Sequence, residues 1–244
     1  MDFNQFNTVC KQIFSANPSL PDLDDDKIKK LYLLTERMLE VNKHMNLTAI
    51  KEERAIILKH YADSLTISKY IPKGAKIIDV GCGAGFPTLP LAIFRTDISI
   101  TSVDSTAKRI EYVSKTAELL NLDNITAIPE RAEVLGNSTE HREKYDIVTA
   151  RAVAGLQILS ELCLPFAKVG GTFIAMKSQK ADEEISLAST AIKKCGGIIS
   201  ASKEQLLTDE PAAQESRTII LINKTSSTPK EFPRHYSKIS KKPL

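Results

Sequence analysis

A regular alternation of short apolar strands and helices begins after Gly74, and it constrains the fold more than any other feature of the sequence. The predicted strands span residues 76–80, 98–103, 125–128, 145–149, 171–176, 198–201 and 218–222. The predicted helices between them span residues 88–94, 106–120, 156–166 and 181–194. This alternation predicts an α/β fold: a seven-stranded, mostly parallel sheet with helices on both faces. A ligand is expected at the carboxyl ends of the strands.

The N-terminal part of the chain has helical spacing instead of this alternation. Apolar residues recur every three or four positions from Phe3 to Ile13, and they predict a first helix. Further helices are predicted at residues 24–41 and 52–70, before Pro72 marks a boundary. We therefore expect three parts: a helical extension packed on the core at residues 1–72, a ligand-binding core at 73–224 and a tail at 225–244.

Composition excludes several classes of protein. The chain of 244 residues is 42% hydrophobic and 26% charged, which is ordinary for a globular protein. No apolar run approaches the ~18 residues that a membrane span needs, and the first residues lack the pattern of a secretory signal. The four cysteines form no Cys-x-x-Cys pair, so no metal site is expected. We expect a soluble, cytoplasmic monomer with neither membrane nor metal.

Positive charge is concentrated at the C-terminus. The net charge is +3, yet six basic residues and one acid give the last 22 residues +5, and 27 basic against 29 acidic residues leave −2 on the rest. The six basic residues are Lys224, Lys230, Arg234, Lys238, Lys241 and Lys242. This basic tail has two interpretations, a surface for RNA phosphates or a solvated and partly disordered terminus.

A glycine loop follows the first predicted strand. Gly81, Gly83 and Gly85 form Gly-x-Gly-x-Gly, not the Gly-x-Gly-x-x-Gly of dinucleotide-binding proteins. The carboxylate of Asp79 before the loop suits a cationic ligand and would repel a phosphate. Asp104, 19 residues after Gly85, ends the second strand, where a carboxylate can accept both ribose hydroxyl protons. The loop thus favours S-adenosylmethionine, while a nicotinamide enzyme and a tight turn without a ligand remain alternatives.

The turn after the fourth strand reads Ala150-Arg151-Ala152-Val153. It lacks the Asp/Asn-Pro-Pro-aromatic sequence with which enzymes that methylate base amines hold the amine. The chain also lacks the Pro-Cys nucleophile used for carbon 5 of pyrimidines. N7 of guanine is an acceptor that needs neither of these motifs, because it has a free lone pair and no proton to remove. We therefore expect no catalytic general base.

Several longer motifs together resemble one family. They lie at residues 42–48, 60–64, 79–87, 131–133, 150–153, 228–229 and 233–234. In this set the chain resembles the bacterial small-subunit (16S) ribosomal RNA guanine-N7 methyltransferases, also called glucose-inhibited division protein B. The resemblance covers nearly the whole chain. It implies a Rossmann-like class I methyltransferase fold, S-adenosyl-L-methionine as cofactor, and small-subunit ribosomal RNA or the ribosomal subunit as substrate.

The resemblance also implies site residues. Gly81 and Phe86 should contact the cofactor, Ala132 and Glu133 should lie beside its adenosine, and Arg151 should belong to the cofactor site. With the loop residues, the predicted cofactor-binding set is Asp79, Gly81, Gly83, Phe86, Asp104, Ala132, Glu133 and Arg151.

Alternatives remain for individual residues and for the function. Arg151 could instead hold an RNA phosphate or be a surface arginine, Phe86 could be core, and Glu133 a solvated carboxylate at a helix start. Asn42, Asn46 and His60 lie either near the substrate or in contacts that brace the helical extension. The whole chain could methylate a small molecule or a protein, or bind RNA or the ribosome without catalysis.

Overall fold

A seven-stranded sheet forms the centre of the computed structural model, which describes residues 1–177, 181–209 and 213–244. The strands are β1 Lys76–Val80, β2 Ser99–Asp104, β3 Ile125–Pro129, β4 Tyr145–Arg151, β5 Ala167–Lys177, β6 Gly197–Asp209 and β7 Ala213–Lys224. Their order is β3-β2-β1-β4-β5-β7-β6. β1 to β5 are parallel, whereas β7 is antiparallel to both β5 and β6. The predicted mostly parallel sheet is confirmed.

Helices cover the sheet, and further helices precede and follow the strands in the chain. They are α1 Phe3–Ala16, α2 Asp25–Met45, α3 Glu53–Ile56, α4 Asp63–Leu65, α5 Thr88–Phe94, α6 Ala107–Leu119, α7 Ala132–Leu135, α8 Leu156–Cys163, α9 Ala181–Lys194 and α10 Tyr236–Lys241. None of the helices that the structure describes is long and apolar enough to span a membrane. β2 and β3 lie on one side of β1, whereas β4 and β5 lie on its other side. A crevice therefore opens between β1 and β4 at the carboxyl ends of the strands.

The first two helices pack on the sheet through apolar faces. Asp24 caps α2 by accepting a hydrogen bond from the backbone N–H of Lys27 at 2.9 Å. α2 ends at Asn46, whose φ of 50° is left-handed. Phe6 of α1, Leu31 of α2 and Ile77 of β1 are fully buried in one apolar cluster. The helical extension and the core therefore share apolar packing.

The third predicted helix is not a continuous α-helix. Between α3 and α4 the chain forms a π-helical turn at Ile57–Ala62, and a 3-10 turn at Ser68–Tyr70 follows α4. The prediction of one helix at 52–70 was wrong, because apolar spacing does not distinguish a wide turn from an α-turn. Turns of this kind are rare and often occur at functional sites. Here the wide turn contains His60.

The last two strands are longer than predicted. Apolar runs predicted strands only at 198–201 and 218–222, but the hairpin ladder pairs Gly197 with Lys224 and continues to Asp209 opposite Ala213. The outer part of the ladder is mostly polar and is held by backbone hydrogen bonds, although Leu207 and Asp209 in it are buried. Smaller differences occur at α8, whose predicted last turn is a 3-10 turn at Leu164–Phe166, and at β5, which begins at Ala167.

The C-terminal segment packs against the core instead of extending into solvent. Phe232 and Ile239 are buried. Lys224 is 1% exposed, and its ammonium lies 3.1 Å from a carboxylate oxygen of Glu143. Of the two interpretations of the basic tail, the solvated and partly disordered terminus does not hold, because apolar side chains and buried ion pairs anchor this segment. Four of the six basic residues are exposed: Lys230, Lys238, Lys241 and Lys242.

A second ion pair lets us predict the effect of a substitution in this segment. Arg234 donates from Nε and Nη2 to the carboxylate of Glu161, which is 0% exposed. Replacing Arg234 with alanine leaves a buried carboxylate without its partner, so the free energy of unfolding should fall by about 3 kcal/mol. Urea unfolding measures this change. The exposed Lys230→Ala variant is the control, and equal unfolding midpoints for both variants would contradict the assignment.

Candidate active site

A cavity of about 510 Å³ lies at the carboxyl ends of the strands, between the sheet and the loop that follows α2. Seven of the eight predicted cofactor-binding residues line it: Gly81, Gly83, Phe86, Asp104, Ala132, Glu133 and Arg151. These residues come from four segments that are far apart in the sequence. The position at the switch between β1 and β4 agrees with the expected ligand site.

The glycine loop needs its glycines for two reasons. Gly81, Gly83 and Gly85 have φ values of 74°, 56° and 85°, which side chains rarely adopt. A Cβ on Gly81 would also lie 2.5 Å from a methyl carbon of Val153, and one on Gly85 would lie 2.5 Å from Leu89. Bare backbone therefore forms the floor of the cavity.

The eighth predicted residue, Asp79, lies behind the loop and is 1% exposed. Its carboxylate accepts hydrogen bonds from the hydroxyls of Thr88 at 2.7 Å and Thr149 at 3.1 Å. Burial raises the pKa of Asp79 to about 6, although these hydrogen bonds and the charge of Arg151 oppose the increase. The Asp79 carboxylate thus connects the start of the glycine loop to α5 and β4 through these two hydrogen bonds.

Carboxylates line the side of the cavity near β2 and β3. Asp104 is 7% exposed and accepts from the backbone N–H of Gly83 at 3.1 Å and of Thr106 at 2.8 Å. Glu133 is 5% exposed and accepts from the backbone N–H of Tyr236 at 3.3 Å. Because each carboxylate has about four acceptor positions, Asp104 keeps lone pairs for a ligand.

The side near β4 carries a cation and an imidazole. The guanidinium of Arg151 lies 5.2 Å from the ring centre of Phe86, and the His60 ring stacks on the same Phe86 at 4.5 Å. Arg151 donates to the buried Asp63 at 2.7 Å and to the carbonyl oxygen of Lys59 at 3.1 Å. The alternative of a surface arginine does not hold, since the Arg151 side chain is only 15% exposed.

The structure separates the roles of three other candidates. Asn42 is buried and its amide bonds the backbone of Thr48, so it braces the loop after α2. Asn46 occupies the left-handed end of α2. Only His60 reaches the cavity. Burial and the charge of Arg151 lower the pKa of His60 to about 3, so the imidazole is neutral at physiological pH.

Sequence reasoning missed several residues of the cavity wall. Thr48 lies in a motif that carried the family resemblance, but no role was inferred for it. Tyr236 reaches the wall from the C-terminal segment, 103 positions from its partner Glu133. No local pattern could have identified Tyr236, because only tertiary packing brings α10 to the cavity. Among the residues that the structure describes, no group of three metal-ligating side chains occurs.

A mostly parallel sheet with this glycine loop and an acid at the end of β2 is typical of Rossmann-like, S-adenosylmethionine-dependent methyltransferases. The family profile for GidB, rRNA small subunit methyltransferase G, matches residues 27–211. The chain belongs to this family, and the resemblance seen in its motifs is confirmed.

Two relatives illustrate the similarity. Ribosomal RNA small subunit methyltransferase G of Lactobacillus delbrueckii subsp. bulgaricus is 43% identical over 241 residues, covering 97% of each chain. Its counterpart in Halalkalibacterium halodurans is 46% identical over 209 residues, covering 85% of this chain and 87% of that protein. The solved structure of M. jannaschii TYW2 in complex with AdoMet is 14% identical, covers 67% of this chain and 77% of that one, and has a TM-score of 0.52. This last comparison supports the fold alone.

The environment of His60 predicts an absence of titration near neutral pH. Its imidazole NMR signals should stay constant from pH 8 to pH 5, whereas in urea they should titrate near the ordinary pKa of about 6.5. The unfolded chain therefore binds this proton at higher pH than the folded one. His60 lowers the free energy of unfolding as the pH falls from about 6.5 towards 3. A folded-state midpoint above pH 5 would contradict the geometry.

Proposed function

We propose that the protein transfers the methyl group of S-adenosylmethionine to N7 of a guanine in small-subunit (16S) ribosomal RNA. The observation that carries this proposal is the asymmetry of the cavity. All three acids among its described wall residues, Asp104, Glu130 and Glu133, lie near the ends of β2 and β3, together with Arg109 and Arg131. Near β4 the described wall offers Thr48, a neutral His60 and Arg151, without a carboxylate. Family membership supports the substrate.

The carboxylate side suits the adenosine of the cofactor. Asp104 has lone pairs available for the ribose hydroxyls, and Ala132 and Glu133 stand where the adenine would lie. Gly81 and Gly83 allow the ligand to approach the backbone closely, and Phe86 lines the cavity beside His60 and Arg151. Asp79 contributes indirectly, because its carboxylate fixes the loop from behind. S-adenosylmethionine, when bound, supplies an electrophilic methyl group on a sulfonium.

The β4 side suits an acceptor atom that has no proton to lose. N7 of guanine carries a free lone pair, so no side chain must act as a base. The residues of this side therefore orient the base and exclude water. Arg151, fixed by Asp63, presents a permanent positive charge beside the cavity. The arrangement favours N7 of guanine over an acceptor atom that must lose a proton.

The outer surface offers a path for the RNA backbone. Lys238 and Lys241 belong to α10, the helix that also brings Tyr236 to the cavity, and both are exposed. Lysines near the opening attract phosphates without sequence preference. The target base would then turn out of its stack into the cavity. We propose that the protein acts in the cytoplasm, where ribosomal subunits are.

Transfer of labelled methyl tests the proposal directly. Small ribosomal subunits from a strain without this enzyme are incubated with S-adenosylmethionine that carries a labelled methyl group, and the RNA is digested to nucleosides. We expect label in N7-methylguanosine. Label in another nucleoside would overturn the target atom. Cofactor binding without label in RNA would overturn the substrate, and label in metabolites or proteins would favour the alternative acceptors.

Replacing Arg151 tests the β4 side of the cavity. Arg151→Ala should lower kcat for methyl transfer to subunits by about 100-fold, because the base loses an orienting contact. Asp63 keeps Arg217 at 3.0 Å, so the variant should remain folded. Circular dichroism and the Kd for S-adenosylhomocysteine check this. Arg37→Ala, on α2 outside the cavity, is the control, and a kcat for Arg151→Ala equal to that of the control would exclude the role.

A further inference from the structure

The loop after α2 holds Thr48 rigidly at the cavity. The side-chain amide of Asn42 donates to the Thr48 carbonyl at 2.9 Å, and its oxygen accepts from the Thr48 N–H at 2.9 Å. The Thr48 side chain is half-buried and lines the cavity on the β4 side. The two hydrogen bonds from Asn42 therefore fix the position of Thr48 at the cavity.

A series of ion pairs connects β7 with Arg151, which also lines the cavity. Asp63 is 3% exposed and meets two arginines, Arg151 at 2.7 Å and Arg217 at 3.0 Å. Glu215 holds Arg217 at 3.1 Å and Lys59 at 2.7 Å. Arg151 donates from Nη1 both to Asp63 Oδ2 at 2.7 Å and to the carbonyl oxygen of Lys59 at 3.1 Å, and these two hydrogen bonds fix the orientation of its guanidinium.

This orientation determines the tautomer of His60. Nη2 of Arg151 lies 3.4 Å from Nδ1 of His60. A guanidinium can only donate, so Nδ1 accepts. His60 is neutral because its pKa is about 3. A neutral imidazole carries one proton, which must then reside on Nε2.

The tautomer in turn determines the role of Thr48. Nε2 of His60 lies 2.8 Å from the Thr48 Oγ1 and donates to it, and the backbone N–H of Ile50 donates to the same oxygen at 3.0 Å. A hydroxyl oxygen has two acceptor positions, and both are filled. The hydroxyl proton must therefore be donated elsewhere. No acceptor for this proton occurs among residues 1–177, 181–209 and 213–244.

We propose that the Thr48 hydroxyl donates a hydrogen bond to O6 of the guanine that is methylated, and that Asp63, Arg151 and His60 are positioning residues which orient this donor. The inference rests on the proposed function and specifies how the site recognises the guanine. Guanine presents O6 as an acceptor next to N7, whereas adenine presents an amine, a donor, at the same position. An obligate donor at Thr48 therefore selects guanine over adenine.

The tautomer of His60 tests the orienting chain without any activity measurement. Nitrogen-15 NMR of imidazole distinguishes a protonated Nε2 from a protonated Nδ1, and His60→Gln identifies the signals among the four histidines. We expect the Nε2–H form in the wild type. We expect Asp63→Asn to add the Nδ1–H form, because Arg151 is released. If Asp63→Asn does not fold, the wild-type spectrum decides alone, and an Nδ1–H signal there overturns the proposal.

Kinetics with small ribosomal subunits test the donor itself. Thr48→Val removes the hydroxyl at nearly constant shape, and Thr48→Ser keeps it. Loss of one such hydrogen bond should lower kcat/KM by about tenfold in Thr48→Val, while Thr48→Ser stays within about twofold of the wild type. The Kd for S-adenosylhomocysteine should be the same in all three proteins. This pattern would support a contact with the base.

Other results have separate meanings. A Thr48→Val variant as active as the wild type overturns the donor role and leaves the proposed function intact. Equal losses in Thr48→Val and Thr48→Ser, or a weakened Kd for S-adenosylhomocysteine, indicate a structural role and also overturn it. Failure of the wild type to label N7 of guanine overturns the proposed function, and the contact with guanine falls with it.

Discussion

Burial of the Asp63 carboxylate between Arg151 and Arg217 joins the helical extension to the sheet, and the cavity depends on this junction. Arg151 ends β4, Arg217 belongs to β7, and Asp63 begins α4 after a wide helical turn. A buried charge of this kind is strongly unfavourable without its partners, so the three elements are stable only in one arrangement. In that arrangement the extension closes the β4 side of the cavity, and it fixes the charge that faces a substrate.

The two sides of the cavity therefore have different chemistry, because they originate from different elements. The parallel strands contribute the glycine loop and Asp104, which together suit an adenosine. The extension contributes Thr48 and His60, neither of which belongs to the sheet. Many methyltransferases share the first set, since a Rossmann-like fold places a loop and an acid at the ends of its first two strands. In our proposal, specificity for the acceptor arises from the second set.

Sequence patterns predicted the sheet and the carboxylate side of the site well. Buried strands are short apolar runs, and a glycine loop follows the first run. Gly81, Gly83 and Asp104, which were predicted to bind the cofactor, line one cavity. The remainder depends on contacts between distant residues. The π-helical turn has the same apolar spacing as an α-helix, and at the outer end of the β6–β7 hairpin only Leu206 and Leu207 interrupt a polar sequence. The burial of Lys224 could not be predicted from the sequence. A lysine in a basic segment is expected to be solvated, and its ion pair with Glu143 forms only in the tertiary structure.

The packing of the C-terminal segment makes the finished cavity depend on contacts between distant parts of the chain. Tyr236 completes the cavity wall beside Glu133, and Arg234 neutralises Glu161, 73 positions earlier. Contacts over such separations form late in folding, because the chain must first close a long loop. The strands and the glycine loop can therefore form before the cavity wall is complete.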